Sequence, residues 1–388
     1  MASGVDRCHP RTRRTRMAAY RAHSTNSKPG CQARHDESVS HNHRFGPDFV
    51  EEHRRRFGSL PPDRRQLTFD IAAEPEFEHW RTWYDEQLAL LPPAEASKLA
   101  GRLWLDEFFW PVTIELAAGA SLRNAGYEVV YECSHYGLTP DWTVLNQDGT
   151  LAMFVEVHTD QPKSETFGRQ RAWRSLELRI TKIPVNVVLV LKGSHVAPKA
   201  PDAGTAKKIA QDIRQRLLAS PSTSRIDTHG YTFLVLADRW GPVRSANGLH
   251  AQFAAPSGVA GIVDARKLSE AVDSKARKYS RLAEQHDVPL LVAAGAHRFT
   301  RVDLDDIDSL LAGEPRMSFQ FNLGDTFIGS HQINLAHPSR WTMPEALAGL
   351  LWIHNQPPFG ATLRRNPRAR QPLPNELENK FNLVDNAH

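Results

Sequence analysis

Two carboxylates placed in neighbouring apolar segments constrain this chain more than any other sequence feature. Asp141 opens the short run Trp142–Leu145, and Glu156 lies in the middle of Ala152–His158. Both runs have strand character, and side chains alternate along a strand, so Glu156 and His158 share one face. Burying one carboxylate costs free energy, and a second carboxylate nearby increases that cost. A bound divalent cation would relieve both penalties.

Composition indicates an ordinary globular protein with a substantial core. The chain has 388 residues, of which 40% are hydrophobic and 24% charged, and its formal net charge of +4 is compatible with a polyanionic partner without requiring one. Three widely spaced cysteines predict neither a disulfide framework nor a zinc site, which fits a cytoplasmic protein. We find no apolar run of about eighteen residues and no secretory signal, so no membrane association is expected.

Residues 1–60 differ in composition from the remainder. Arg, His, Ser and Asn dominate and apolar residues do not recur periodically, which predicts a disordered, basic, His-rich tail. His41 and His43 would suit a metal ion, but no further ligands stand at metal-site spacing, so a solvated tail is the preferred interpretation. Met17 would serve as an alternative translation start to Met1.

Helical periodicity predicts two helices before the first strand. Glu74–Leu91 is one, and Ala94–Asn124 is a longer one with a possible interruption at Pro111. Glu115 lies on the apolar stripe of the second helix. It is either a functional acid, or a residue at the edge of the stripe that is partly exposed or paired with an arginine.

The next elements complete a core that we place at residues 61–191. The predicted strands and helix are Tyr127–Glu132, a strand through Leu145, Leu151–His158, the helix Pro162–Thr181 and the apolar strand Val185–Leu191. The order is helix, three strands, helix, strand, so the fold class is α/β with a mixed sheet. For residues 192–312 we predict an α/β extension packed on this core. For residues 313–388 we predict a mostly irregular C-terminal segment.

Three acids and a histidine would suit metal-assisted hydrolysis. Mg²⁺ takes oxygen ligands, usually one or two carboxylates together with water and substrate phosphate. Asp141, Glu156 and Glu115 would supply the carboxylates, and His158 would accept a proton from water or position it.

The order of elements and the spacing of these acids resemble the PD-(D/E)xK nuclease superfamily, over roughly residues 103–191. The resemblance implies a restriction-endonuclease-like αβββαβ core, with Asp141 and Glu156 as ligands of Mg²⁺ or Mn²⁺ and Glu115 as the accessory acid. The helix around Lys275 and the segment Asn366–Pro374 also resemble uncharacterised bacterial members of the superfamily.

The chain departs from the family pattern at the usual lysine, whose position is taken by His158. Some members carry this lysine on the following helix, so Lys163 or Lys182 would stand in, and others have lost catalysis. Gln170 matches the family's helix glutamine only in part, because Arg174 stands where a tyrosine is usual.

Two functions therefore follow as expectations. The first is Mg²⁺-dependent endonucleolytic hydrolysis of DNA, with Glu115, Asp141, Glu156, His158 and Lys182 as the catalytic residues. The alternative is a catalytically inactive nuclease-like module that binds nucleic acid or a protein partner. The oligomeric state and sequence preference are not predicted.

Each feature also has a simpler interpretation. Asp141 would be a turn acid, and Glu156 would pair with Arg171 or Arg174. Lys275, Arg277 and Lys278 would form a solvated helix face. The last feature is a basic loop formed by Arg364, Arg365, Arg368 and Arg370. This loop would either contact phosphates or be an exposed loop without a ligand.

Overall fold

The computed structural model describes residues 43–192, 199–220, 222–237, 251–254, 265–297, 300, 302–313, 316–323, 326–334 and 340–381. The helices are α1 (Pro47–Phe57), α2 (Phe69–Ala73), α3 (Glu78–Ala89), α4 (Pro93–Leu103), α5 (Asp106–Asn124), α6 (Ser164–Ile180), α7 (Ala203–Ala219), α8 (Arg266–His286), α9 (Leu304–Ala312) and α10 (Glu376–Phe381). The strands are β1 (Glu128–Tyr131), β2 (Trp142–Leu145), β3 (Leu151–Asp160), β4 (Val187–Leu191), β5 (Arg225–Thr228), β6 (Tyr231–Ala237), β7 (Gln252–Ala254), β8 (Leu290–Ala296), β9 (Arg316–Leu323), β10 (Thr326–Asn334), β11 (Gly349–Ile353) and β12 (Ala361–Arg365).

A mixed six-stranded sheet with the order β1-β2-β3-β8-β11-β12 forms the centre of the fold. Strands β1 to β3 form an antiparallel meander, whereas β3, β8 and β11 run parallel and β12 returns antiparallel. The predicted α/β class with a mixed sheet is confirmed.

The predicted alternation along β3 separates two cores. Met153, Val155 and Val157 pack in one cluster with the buried side of α5, and Phe154 packs in another with the apolar face of α8. Helices α5 and α8 therefore cover opposite faces of the sheet. Glu156 belongs to the α8 face because it lies two residues from Phe154.

A second sheet, with the order β5-β6-β4-β7, has its own core with α6 and α7. This corrects the predicted position of the apolar strand at Val185–Leu191. That segment forms β4, which pairs with β6 and β7, and the strand parallel to β3 is β8. A short apolar run satisfies the centre of either sheet, so periodicity alone does not choose between them.

Regular secondary structure lies in both terminal segments of the chain. Helix α1 lies inside the segment predicted as a disordered tail, and residues 1–42, including His41, lie outside the described residues. The C-terminal segment predicted as mostly irregular contains the β9–β10 hairpin and the sheet strands β11 and β12. Because β8 joins the central sheet, the predicted boundary at residue 191 does not separate the two sheets.

The long predicted helix is interrupted at Leu105, not at Pro111. Leu105 is extended between α4 and α5, and Pro111 lies within α5. The carboxylate of Asp106 fixes the start of α5 by accepting hydrogen bonds from the backbone N–H groups of Leu67 and Thr68.

Cys133 is disulfide-bonded, although the spacing of the cysteines predicted no disulfide framework. Within the described part of the chain, no helix is both long and apolar enough to cross a membrane.

The close approach of α5 to β2 generates a stability prediction. A Cβ on Gly119 would overlap the indole of Trp142, which is fully buried. We expect Gly119→Ala to lower the free energy of unfolding by about 1–3 kcal/mol, because overpacking outweighs the gain in helix propensity. Gly101 in α4 is the control, since a Cβ added there would have no neighbour within 4 Å. In urea titrations Gly101→Ala should stabilise the protein by about 0.5–1 kcal/mol, and equal effects of the two changes would contradict the packing.

Candidate active site

Asp141 and Glu156 meet across the antiparallel pair β2–β3. Trp142 is paired with Val155, which places the two acids side by side at the start of β2. The backbone N–H of Asp141 lies 3.4 Å from Glu156 Oε2, and the backbone N–H of Val157 donates to Asp141 Oδ2 at 2.6 Å. Asp141 is therefore more than a local turn acid, because its carboxylate binds the strand that carries Glu156.

Glu115 approaches the same place from α5. Tyr131 donates its hydroxyl to Glu115 Oε1 at 3.0 Å, and the indole N–H of Trp142 donates to the backbone oxygen of Glu115 at 3.0 Å. The charge of Glu115 contributes to the raised pKa of Asp141, which places the two groups in electrostatic contact. The structure thus brings Asp141 and Glu156 side by side, whereas Glu115, on the helix that covers the other face of the sheet, acts on Asp141 through its charge.

This concentration of carboxylates is electrostatically costly. Burial, followed by the negative charges of Glu156 and Glu115, raises the pKa of Asp141 to about 8. Burial also raises the pKa of Glu115, and its hydrogen bond from Tyr131 acts in the opposite direction. The site consequently favours a proton or a cation at Asp141.

Lys275 supplies a cation that the sequence had assigned to a solvated helix face. Its Nζ lies 2.5 Å from Glu156 Oε1, and 32% of the Lys275 side chain is exposed against 3% for Glu156. Helix α8 buries Val272, Ala276 and Tyr279 against the sheet, so Lys275 lies at the border of the buried face. That border position, one residue before Ala276 and four before Tyr279, was the available sequence signal.

Tyr279 links α8 to the loop that precedes Asp141. Its hydroxyl donates to the backbone oxygen of Thr139 at 2.8 Å and receives a hydrogen bond from Lys278 Nζ at 2.8 Å. Burial and the nearby charges of Glu156 and Asp141 raise the pKa of Tyr279, so its hydroxyl remains protonated. The second lysine of the supposed solvated face therefore also borders the site.

His158 is half-buried on the Glu156 face of β3. Burial, and then the positive charge of Lys275, lower the pKa of His158 to about 4. The imidazole is therefore neutral at pH 7 and can accept a hydrogen bond from water, but a pKa this far below 7 makes it a weak proton acceptor.

The predicted substitutes for the family lysine lie elsewhere. Lys182 is exposed in the turn after α6, and Lys163 is exposed at the start of that helix. The interpretation that Arg171 or Arg174 pairs with Glu156 is wrong, because Arg171 binds Asp106 at 2.6 Å and Arg174 binds Asp70. Helix α6 thus directs these two arginines towards the N-terminal helices.

The predicted basic loop near the C-terminus makes internal contacts. Arg364 forms two hydrogen bonds of 2.6 Å with Asp308, and Arg370 Nη1 lies 2.6 Å from Glu284 Oε1. Arg365 and Arg368 donate to the backbone oxygens of Leu373 and Met343. These contacts favour a structural role over phosphate binding.

The donor set suits a metal ion only with help from substrate or water. Among the residues that the structure describes, no group of three or more His, Cys, Asp or Glu side chains could hold a metal ion. Asp141 and Glu156 still provide two adjacent carboxylates, the number that Mg²⁺ commonly takes from a protein. The raised pKa of Asp141 is the observation that fits a cation here.

The pKa of Asp141 predicts how stability depends on pH. Between its ordinary value of 3.8 and its folded value of about 8, the folded protein holds a proton that the unfolded chain has released. The contribution of Asp141 to stability should therefore fall as pH rises through this window, by at most about 1.4 kcal/mol per pH unit. Asp141→Asn should remove that part of the slope in urea titrations from pH 5 to 8. Asp48→Asn, which removes a charge from an exposed site on α1, should keep the wild-type slope, and a wild-type slope in Asp141→Asn would refute the assignment.

Comparison with known proteins adds no relative at this point: no family model matches the chain, and no curated protein or solved structure matches it.

Proposed function

We propose that the chain hydrolyses phosphodiester bonds of DNA in a reaction that depends on Mg²⁺ or Mn²⁺. The observation that carries the proposal is the adjacent pair Asp141 and Glu156 with Lys275 2.5 Å from the glutamate. Two carboxylates and an amine beside the start of β2 suit a phosphodiester, because the carboxylates bind a metal ion and the amine compensates negative charge.

The connectivity of the central sheet supports the same proposal. Helix α5 precedes the β1–β3 meander, and α8 precedes β8, which runs parallel to β3. If residues 161–264 are treated as an insertion, the remaining order is αβββαβ. We propose that this is a restriction-endonuclease-like core in which α8 and β8 take the places expected for α6 and β4.

Each side chain has a separate role in this proposal. Asp141 and Glu156 would hold the metal ion. Glu115 would hold a water molecule in the coordination shell of that ion. When bound, the ion would lower the pKa of water and neutralise charge on the phosphate. Lys275, in place of Lys182, would bind the phosphate oxygens or the attacking water. His158, neutral at pH 7, would position that water by accepting a hydrogen bond from it.

A second function is supported by the ion pair itself. Lys275 already balances the charge of Glu156, so the fold does not need a metal ion at that carboxylate. The alternative is therefore a catalytically inactive nuclease-like module that binds nucleic acid or a protein partner. It differs in that DNA binding would survive Glu156→Gln and no cleavage would occur.

Cleavage of supercoiled plasmid in Mg²⁺ or Mn²⁺ tests the hydrolytic function. We expect the wild-type chain to nick or linearise plasmid, and Asp141→Asn and Glu156→Gln to reduce the rate at least about 100-fold, a few kcal/mol of barrier. Lys275→Gln should also reduce the rate.

Two matched variants control for charge. Asp227→Asn and Lys182→Gln change exposed residues that belong to the second sheet and to the turn after α6, and both should retain wild-type activity. Equal cleavage by the wild type and the two site variants would exclude this site as the source of the activity.

Metal binding can be measured without catalysis. Mn²⁺ should raise the melting temperature of the wild type, because a ligand that binds only the folded state stabilises it. Glu156→Gln should abolish the shift. Lys275→Gln should enlarge it, since the lysine amine competes with the ion for Glu156. Absence of any shift in the wild type would favour the inactive module.

A further inference from the structure

Helix α8 carries an excess of positive charge beside the candidate active site. Its basic residues are Arg266, Lys267, Lys275, Arg277, Lys278 and Arg281, and its acidic residues are Glu270, Asp273 and Glu284. Two of these acids interact with residues outside the helix: Asp273 accepts a hydrogen bond from the indole of Trp341, and Glu284 forms an ion pair with Arg370. The helix thus carries three more basic than acidic residues.

Lys267 and Lys278 lie on one exposed flank of this helix. They are eleven residues apart, which places them within about 20° of each other around the helix axis and about 16 Å apart along it. Lys275 lies between them, turned towards the buried face, where it contacts Glu156.

Each of the two lysines borders a different end of the site. Burial raises the pKa of Asp160, the last residue of β3, and the charge of the nearby Lys267 acts in the opposite direction. At the other end, Lys278 Nζ donates a hydrogen bond to the Tyr279 hydroxyl. That hydroxyl donates to the backbone oxygen of Thr139, in the loop before Asp141. The flank thus runs along the strand that carries Glu156 and His158.

We propose that Lys267 and Lys278 bind the phosphate backbone of DNA on either side of the scissile phosphate. This inference rests on the proposed function and names the contacts that would hold its substrate. One strand of B-DNA carries about five phosphates over a length of about 16 Å, so the two lysines would contact phosphates near the two ends of that stretch. Lys275, between the two, would lie at the central phosphate.

The salt dependence of DNA binding in EDTA tests this inference without cleavage. A fluorescein-labelled 20-base-pair duplex is titrated with protein between about 50 and 200 mM salt, and the affinity is followed by fluorescence anisotropy. Each lysine–phosphate contact contributes about 0.9 to the slope of log K against log salt. The double variant Lys267→Gln/Lys278→Gln should therefore reduce the slope by about 1.8 and weaken binding at low salt.

The matched control removes two lysines from α7, which packs on the second sheet. Lys207 and Lys208 are exposed on α7, and Lys207→Gln/Lys208→Gln should keep the wild-type slope. Equal slopes for the two double variants, or no binding by the wild type at the lowest salt, would overturn the inference. A reduced slope in a protein that never cleaves plasmid would support the phosphate contacts and reject only the hydrolytic function.

Discussion

The ion pair between Lys275 and Glu156 is the interaction on which the site depends. Glu156 is almost completely buried in the centre of β3, beside the carboxylate of Asp141. A buried charge without a partner is strongly destabilising, so the strand can hold this glutamate only if a cation reaches it. Helix α8 delivers that cation from a position 119 residues further along the chain.

The helix that supplies this cation comes late in the sequence, after all the strands of the second sheet. The second sheet, with α6 and α7, lies in sequence between β3 and α8 and builds its own core. Further along the chain, α8 packs on the face of β3 that carries Phe154, and β8 pairs with β3 in parallel. The hydrogen bond from Tyr279 to Thr139 fixes α8 against the loop that positions Asp141. Packing of one helix thus sets the geometry of both carboxylates.

Sequence periodicity correctly predicted which side chains share a face of a strand or helix. The alternation along β3 put Glu156 and His158 on the face opposite Val155 and Val157, and the apolar stripe of α5 placed Glu115 towards the sheet. The position of β4 was wrong because hydrophobic periodicity describes burial and not the choice of neighbour. Lys275 was missed for a related reason, since its partner is remote in sequence and a lysine beside an apolar stripe is usually solvated.

We propose that Asp141 and Glu156 form a divalent-metal site from which Lys275 is displaced. Anomalous diffraction from crystals soaked in Mn²⁺ would locate the ion. We expect an anomalous peak about 2 Å from carboxylate oxygens of both acids, with Lys275 withdrawn from Glu156. A map without a peak at this position, in which Lys275 still contacts Glu156, would contradict it.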